Sequence, residues 1–300
     1  MTNNKHQDRL IKAMARQGRV MIYINETTNL VEENRINHDM WPTSAAALGR
    51  TLSIGSIMGS MLKNEEEKII IQINGGGPIG TIMVDAKSNG EVRGFVGDPH
   101  QYMTYNDTKK LAVGIAVGKE GTLKVTKDLA MKDSFGGTVA LQTGEIGDDF
   151  AYYFAMSEQR PSVVALGVLV SKENTILASG GLLIQMLPDA TEEDIQISEQ
   201  LLKKLKPITT YLSDGLTLEQ ILDECYDDIN ILEKIDINGY CNCGKEKFKR
   251  VLTTLTSEER LTMINEDHGC ECVCQFCGKK YQFSESELID LNNFVERYKK

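Results

Sequence analysis

The chain has 300 residues, 41% of them hydrophobic and 25% charged, with only 6 Pro. That composition describes a folded, soluble chain of about two domains and excludes a mainly disordered, collagen-like or coiled-coil state. With 43 acidic against 33 basic residues the net charge is -10, which repels nucleic-acid phosphates and anionic membranes, and no basic run is long enough to override it. No stretch reaches the roughly 18 to 20 uninterrupted apolar residues of a membrane helix, and the opening MTNNKHQDRLIKAMARQGRV has no apolar export core. The expected location is the cytosol.

In chain order, residues 8 to 63 read as helix-rich: RLIKAMARQ, then a strand-like VMIYI at 20 to 24, then SAAALGRTLSIGSIMGSML. A helix that is small and apolar on most sides belongs inside a core, so 44 to 62 is placed there. From 68 to about 180 come short β-branched runs separated by turn residues: KIIIQINGG, GTIMVDAKSNG, EVRGFVG, GTLKVTKD, GTVALQTG, SVVALGVLV and NTILASGG. These predict a sheet with hairpins, interrupted by a helix over DDFAYYFAMSEQ that ends before Pro161. After Pro188 the composition turns to acid, Lys and Leu at helical spacing. Thr191 is an N-cap, Pro207 ends or kinks the first helix, and Thr217 with Gln220 forms a capping-box pattern. Such short amphipathic helices are marginal alone and need a surface to dock on. Two further helix starts are marked by Thr256 with Glu259 and by Ser284 with Glu287.

Several motifs carry less than they suggest. Gly75, Gly77 and Gly80 fit a dinucleotide fingerprint, but TIMVDA, a strand, follows where a helix is required, so the segment reads as a glycine-rich hairpin. His6, His38, His100 and His268 are not spaced as metal pairs and stand beside no evident nucleophile. His38 reads as a turn residue. Ser157, Glu158 and Gln159 read as a helix end, with no second carboxylate for acid-base work.

The cysteines carry the signal. None occurs in the first 224 residues, and six of the seven lie at 241 or later. In a reducing compartment such clustering points to metal binding or redox work. Cys241-Asn-Cys243 and Cys274-Gln-Phe-Cys277-Gly278 are two short-spaced thiol pairs, the usual way to build a closed tetrahedral Zn2+ site. Gly278 suits the left-handed turn that bends amides towards the sulfurs. Four thiolates on Zn2+ leave a formal charge of -2, which Lys245, Lys247, Lys249, Arg250, Lys279 and Lys280 can offset. Cys270 and Cys272 form a further C-x-C that could supply a ligand or exchange disulfides with these pairs, and His268 is a lesser candidate ligand. Cys225 reads as a small buried hydrophobe beside Ile221 and Leu222. On chemistry alone the site is either a structural zinc ribbon or a redox switch, since oxidised thiols lose metal and a domain stabilised by metal unfolds with that loss.

With these residues in view, the chain resembles the heat shock protein 33 family of redox-regulated chaperones over essentially its whole length. The resemblance rests on HDMWPTSAAALGRTL at 38 to 52, GGGPIGTIMVDAKSNGEVRGFV at 75 to 96, GTLKVTKD at 121 to 128, SEQRPS at 157 to 162, GGLLIQMLPDA at 180 to 190, and the C-x-C and C-x-x-C pairs. It implies an α+β fold with a chaperone core at 1–188, a helical linker at 189–236 and a zinc-binding redox-switch domain at 237–300. It carries over Cys241, Cys243, Cys274 and Cys277 as ligands of one Zn2+ per chain in the reduced, inactive form. On oxidation it implies disulfides Cys241–Cys243 and Cys274–Cys277, zinc release, unfolding of switch and linker, and ATP-independent binding of unfolded clients by a form that dimerises. No catalytic residue is implied, and neither nucleic acid nor membrane is an expected partner. Gly244 stands where the family commonly has serine. Two other readings compete: a thiol oxidoreductase using Cys274 and Cys277, and a zinc-ribbon adaptor with constitutive binding.

Overall fold

The computed structural model describes residues 7–130 and 134–298; His6 lies outside them. The chain divides into two compact units, one ending at Tyr240 and one beginning at Cys241. The elements of the first, in chain order, are β1 (Arg9–Ala15), β2 (Val20–Glu26), α1 (Thr28–Asn37), α2 (Pro42–Ser60), β3 (Lys68–Asn74), β4 (Ile82–Lys87), β5 (Glu91–Val96), α3 (Val113–Val117), β6 (Thr122–Asp128), β7 (Phe135–Ala140), α4 (Gly147–Met156), β8 (Ser162–Val170), β9 (Ile176–Met186), α5 (Glu192–Lys204), α6 (Ile208–Ser213), α7 (Leu218–Asp223), β10 (Asn230–Asp236) and β11 (Asn238–Gly239). The second unit contains α8 (Lys245–Leu252), α9 (Ser257–Asn265), β12 (Gly269–Val273), β13 (Lys280–Ser284) and α10 (Glu285–Tyr298). The fold is α+β, as expected.

Two sheets build the first unit, with strand orders β10-β1-β2-β9-β8 and β11-β5-β4-β3-β6-β7. Helix α2 packs against β2, β8 and β9 of one sheet and β3, β4 and β5 of the other. A helix covered on both sides needs narrow faces, and this explains its Gly, Ala and Ser content. A Cβ at Gly55 would stand 2.7 Å from Val84 Cγ1. The buried hydroxyls of α2 return to its own backbone: Thr51 donates to the Ala47 carbonyl at 2.9 Å and Ser53 to that of Gly49 at 2.9 Å. A buried polar network then ties α2 to the sheet. Asn25 Nδ2 donates to the Ser53 carbonyl at 2.8 Å, Asn25 Oδ1 accepts from the Gly181 amide at 2.6 Å, and Thr27 Oγ1 bonds Ser53 Oγ at 2.7 Å and Ser179 Oγ at 2.9 Å.

The expected helix over RLIKAMARQ is instead the strand β1. Apolar residues at 10, 11, 14 and 15 imitate helical spacing, but here both faces of a strand are covered. Leu10 enters the core around α2, whereas Ile11, Ala13 and Ala15 enter a second core on the opposite face of the sheet. A strand buried on two sides loses its alternation.

That second core joins Ile11, Val20, Ile22, Ile24, Leu182, Ile184 and Met186 of the sheet to Ile208, Tyr211, Leu218, Ile221, Leu222, Cys225 and Tyr226. The amphipathic segment after Pro188 thus docks on the outer sheet face, and Cys225 is buried within it, its thiol pushed up to about 12 by burial. Thr191 and Thr217 cap α5 and α7, accepting from the amides of Asp194 and Gln220. The segment is not helical throughout, for it ends in β10, which pairs antiparallel with β1. The glycine-rich run is, as expected, the loop between antiparallel β3 and β4. Gly77 is needed there for close approach, since a Cβ would come within 2.3 Å of the Ala116 carbonyl oxygen.

Asp8, just before β1, caps α1 from a distance: its carboxylate accepts from the amides of Asn29 at 3.0 Å and Leu30 at 2.7 Å. Burial nevertheless pushes its pKa up to about 6 from 3.8, which disfavours the charged form by about 3 kcal/mol. A raised carboxyl pKa stabilises the fold fully below its ordinary value, and that contribution is lost as pH rises through the folded value. The stability of Asp8→Asn relative to the parent is therefore expected to rise by about 2 kcal/mol between pH 4 and pH 8, read from paired thermal unfolding curves. A flat difference would contradict this account.

Candidate metal centre

The second unit has a small core of Leu252, Ile264, Phe283, Leu288 and Leu291. A unit of about 60 residues with so little apolar burial needs a further constraint. Its helices are locally well specified: Thr256 accepts from the Glu259 amide at the start of α9, and Ser284 and Glu287 bond reciprocally at the start of α10. Four clustered sulfurs are placed to offer that constraint. Cys241 and Cys243 precede α8, Cys274 and Cys277 sit in the turn between β12 and β13, and the four Sγ atoms lie within 4.8 Å of one another.

Cys241 and Cys274 sulfurs are 3.6 Å apart, and those of Cys243 and Cys277 3.4 Å. A tetrahedron of four sulfurs at ~2.3 Å from a central ion has edges of about 3.8 Å, so the cluster has the size and donor chemistry of a closed thiolate site and could hold a metal ion. The turn behaves as its sequence suggests. Gly278 has φ +68° and donates its amide to the Cys274 carbonyl at 2.8 Å, and the amides of Cys243 and Lys279 donate to the sulfurs of Cys241 and Cys277.

The thiols of Cys241, Cys243 and Cys277 do not titrate alike. Burial pushes Cys277 up to about 12 and raises Cys241 as well. Burial also opposes ionisation at Cys243, but the Tyr281 hydroxyl, donating at 3.1 Å, together with the neighbouring thiols outweighs it and holds Cys243 at about 7. Tyr281 is the contributor that sequence reasoning missed. Only its alternation on β13, two residues from the inward Phe283 and so on the same face, hinted at an inward hydroxyl. Of the flanking cations, Lys245 binds Glu287 and Lys280 binds Glu271 at 3.0 Å.

His268 is not brought to the cluster; its φ is +53° and its Nδ1 lies 3.1 Å from Glu285. Cys270 and Cys272 also stand outside it. They share one face of β12 and pack, partly buried, against the small core. Replacing both by serine is expected to leave the metal content at one ion per chain, measured by elemental analysis of the reduced protein; loss of the ion would make one of them a ligand. Elsewhere, His38 ends α1, His100 lies beside Trp41 with ring centroids 5.4 Å apart, and Glu158 pairs with Lys127 at 2.6 Å just after α4. Among the described residues no helix is long and apolar enough to cross a membrane.

Fold and site together define a class: a two-sheet α+β unit followed by a small unit organised around a four-thiol metal centre. Comparison with known proteins narrows it. The family model described as Hsp33 protein matches residues 8–284. A 33 kDa chaperonin of Bacillus velezensis is 45% identical over 291 residues, covering 97% of this chain and all of the relative. One of Staphylococcus carnosus is 44% identical over 287 residues, 95% of this chain and 97% of the relative. The crystal structure of the 33 kDa chaperonin (heat shock protein 33 homolog) of Thermotoga maritima superimposes with a TM-score of 0.91 at 31% identity, covering 97% of this chain and all of that one. The chain belongs to the Hsp33 family of chaperones.

Proposed function

We propose that this chain is a redox-gated, ATP-independent holdase that works in the cytoplasm and is not an enzyme. One observation carries the reading: four thiols from two segments 30 residues apart form the centre of a unit whose own core is too small to hold it. In this reading residues 1–188 are the chaperone core, 189–236 the linker and 237–300 the switch. Zn2+, bound once per reduced chain by Cys241, Cys243, Cys274 and Cys277, would supply the cross-link that the small core lacks.

Each thiol pair gives up two electrons and two protons to one peroxide, forming one disulfide and two waters. We assign the disulfides to Cys241–Cys243 and Cys274–Cys277. Sulfur contacts of 3.4 and 3.6 Å in the folded unit run across the pairs, but those depend on the fold; within a pair the cysteines stay neighbours when the unit opens, at far higher effective concentration. Two disulfides leave no thiolate donors for the ion. Loss of the switch then releases the linker, baring the sheet face that carries Ile11, Ile22, Ile24, Leu182 and Ile184. A contiguous apolar face of this kind binds unfolding proteins, and two copies can share it as a homodimer. The net charge of -10 disfavours nucleic acid and anionic membrane as partners.

The oxidoreductase reading has less support, because Cys274 and Cys277 lie in a turn that opens no helix and so lack the dipole that activates such pairs. The test is light scattering from a heat-unfolding reporter protein. Peroxide-treated chain is expected to suppress aggregation at near-equimolar ratio, whereas reduced, zinc-loaded chain leaves it unchanged. Equal behaviour of the two forms would refute redox gating.

A further inference from the structure

We propose that the edge of β1, covered in this structure by β10, is a client-binding site that takes up an extended polypeptide segment as an added antiparallel strand. The inference rests on the holdase reading above and names the surface and binding mode that it leaves open.

The two partners in this pairing are unlike. Strand β1 is deeply anchored, with Leu10, Ile11, Ala13 and Ala15 each 1% exposed or less. Strand β10 is anchored by little of its own: six of its seven residues are exposed, including the large apolar Ile231 and Leu232. It runs from Asp236 opposite Arg9 to Asn230 opposite Met14, with a register break between Lys12 and Ala13 at which Leu232 has no partner. What holds β10 is therefore the main-chain ladder, the packing of one side chain, Ile235, against the core around α2, and a few ion pairs, Lys12 with Glu233 at 2.7 Å and Lys234 with Glu219 at 2.7 Å. A ladder is indifferent to side-chain identity, and one with an irregular register is replaceable by another extended segment.

Release of the linker removes β10 together with α5, α6 and α7. A seven-residue strand with buried side chains is then left with a row of unpaired amides and carbonyls, the kind of edge that folded proteins otherwise cover. Unfolding proteins offer what this edge lacks, an extended backbone with open hydrogen-bonding groups. Arg9 and Lys12 lose Glu219, at 2.6 Å, and Glu233 in the same event. The edge thus favours apolar, β-branched segments that carry a carboxylate near Lys12, as β10 itself does.

The test uses the oxidised full-length chain, a reporter client, and residue-resolved hydrogen exchange. In the oxidised chain alone, the edge-facing amides of residues 9–15 are expected to exchange fast, and client to slow them by about tenfold or more. A synthetic peptide of residues 229–237, INILEKIDI, is expected to compete with client, and the same peptide N-methylated at alternate residues to fail, because it cannot extend a ladder. Suppression of aggregation with unchanged exchange at 9–15, or equal competition by both peptides, would overturn the edge site while leaving the holdase reading intact. Protection that follows chain concentration without client would assign the edge to a second copy and also overturn the proposal. Absence of aggregation suppression would remove the holdase reading and the inference with it.

Discussion

Treating the reduced, zinc-loaded chain with a strong chelator is expected to unfold residues 241–298 and to loosen the linker that follows residue 188, while the two-sheet core of residues 7–130 and 134–188 keeps its structure. Structural zinc sites of this type contribute about 10 to 16 kcal/mol at neutral pH, more than a core of Leu252, Ile264, Phe283, Leu288 and Leu291 can replace. Hydrogen exchange is the measurement: α8, α9 and α10 are expected to lose protection, and the amides of α2 and β9 to keep it. Cys274→Ser is expected to act in the same direction without chelator, since it removes the most buried of the four sulfurs. Retained protection in α8 to α10 after verified metal loss would show that the small core suffices. The thiols would then be a passenger on a stable unit rather than its support.

The second large effect is expected at Asp194. Its carboxylate is fully buried and receives Arg16 Nε and Arg19 Nε, each at 2.7 Å, as well as the amide and hydroxyl of Thr191 at 2.9 and 2.8 Å. This clamps α5 to the turn between β1 and β2. Asp228 clamps the same turn by accepting from the amides of Arg16 and Gln17 at 3.0 and 2.9 Å. Those two residues need holding, because both have positive φ, 55° and 56°, a conformation that costs side-chain-bearing residues about 1 kcal/mol or more each. Asp194→Asn leaves two guanidinium groups, each about a quarter exposed, short of their charged partner. The population with a detached linker is then expected to rise about tenfold or more. Faster exchange in α5 and partial aggregation suppression by the reduced variant are the expected readouts, and parental protection in α5 would contradict the clamp.

The pH dependence of this clamp follows from its sign. Arg19 first, then the Thr191 amide and Arg16, hold the Asp194 carboxyl well below the usual carboxylate range. A depressed carboxyl stabilises above its unfolded pKa and loses that contribution as pH falls through the folded value. The clamp is therefore expected to hold unchanged from pH 5 to 8 and to yield only in strong acid. Asp8 works in the opposite sense, so the two carboxylates are separable by titration.

What could be read in the sequence follows the range of the interaction concerned. The thiol pairs, the caps at Thr191, Thr217 and Thr256, and the buried helix over Pro42–Ser60 are written within a few residues of themselves, and each stands where its local pattern places it. Strand β1 was misread because covering on both faces erases alternation, and burial on a second face is a property of the fold, not of nine residues. Strand β10 escaped for the converse reason: its side chains are mostly exposed, so only pairing with β1 makes it a strand. The clamp joins Arg16 and Arg19 to a carboxylate some 175 positions later, and nothing in either segment alone announces the other. At the metal centre the ligand candidates were legible by spacing, whereas the Tyr281 hydroxyl depended on how β13 faces the cluster.

The buried bonds among Asn25, Thr27, Ser53, Ser179 and Gly181 bear on how many times such a switch can be thrown. They join β2, β9 and α2 inside the unit and involve no residue beyond Gly181. A slip of either strand by one position would strand several of these groups without partners in the interior, a cost that pins the register. The sheet therefore keeps a single alignment when its outer cover is gone. Under the proposed redox gating, a segment returning in reducing conditions would meet the same landing face it left, so the molecule would be reset rather than remade.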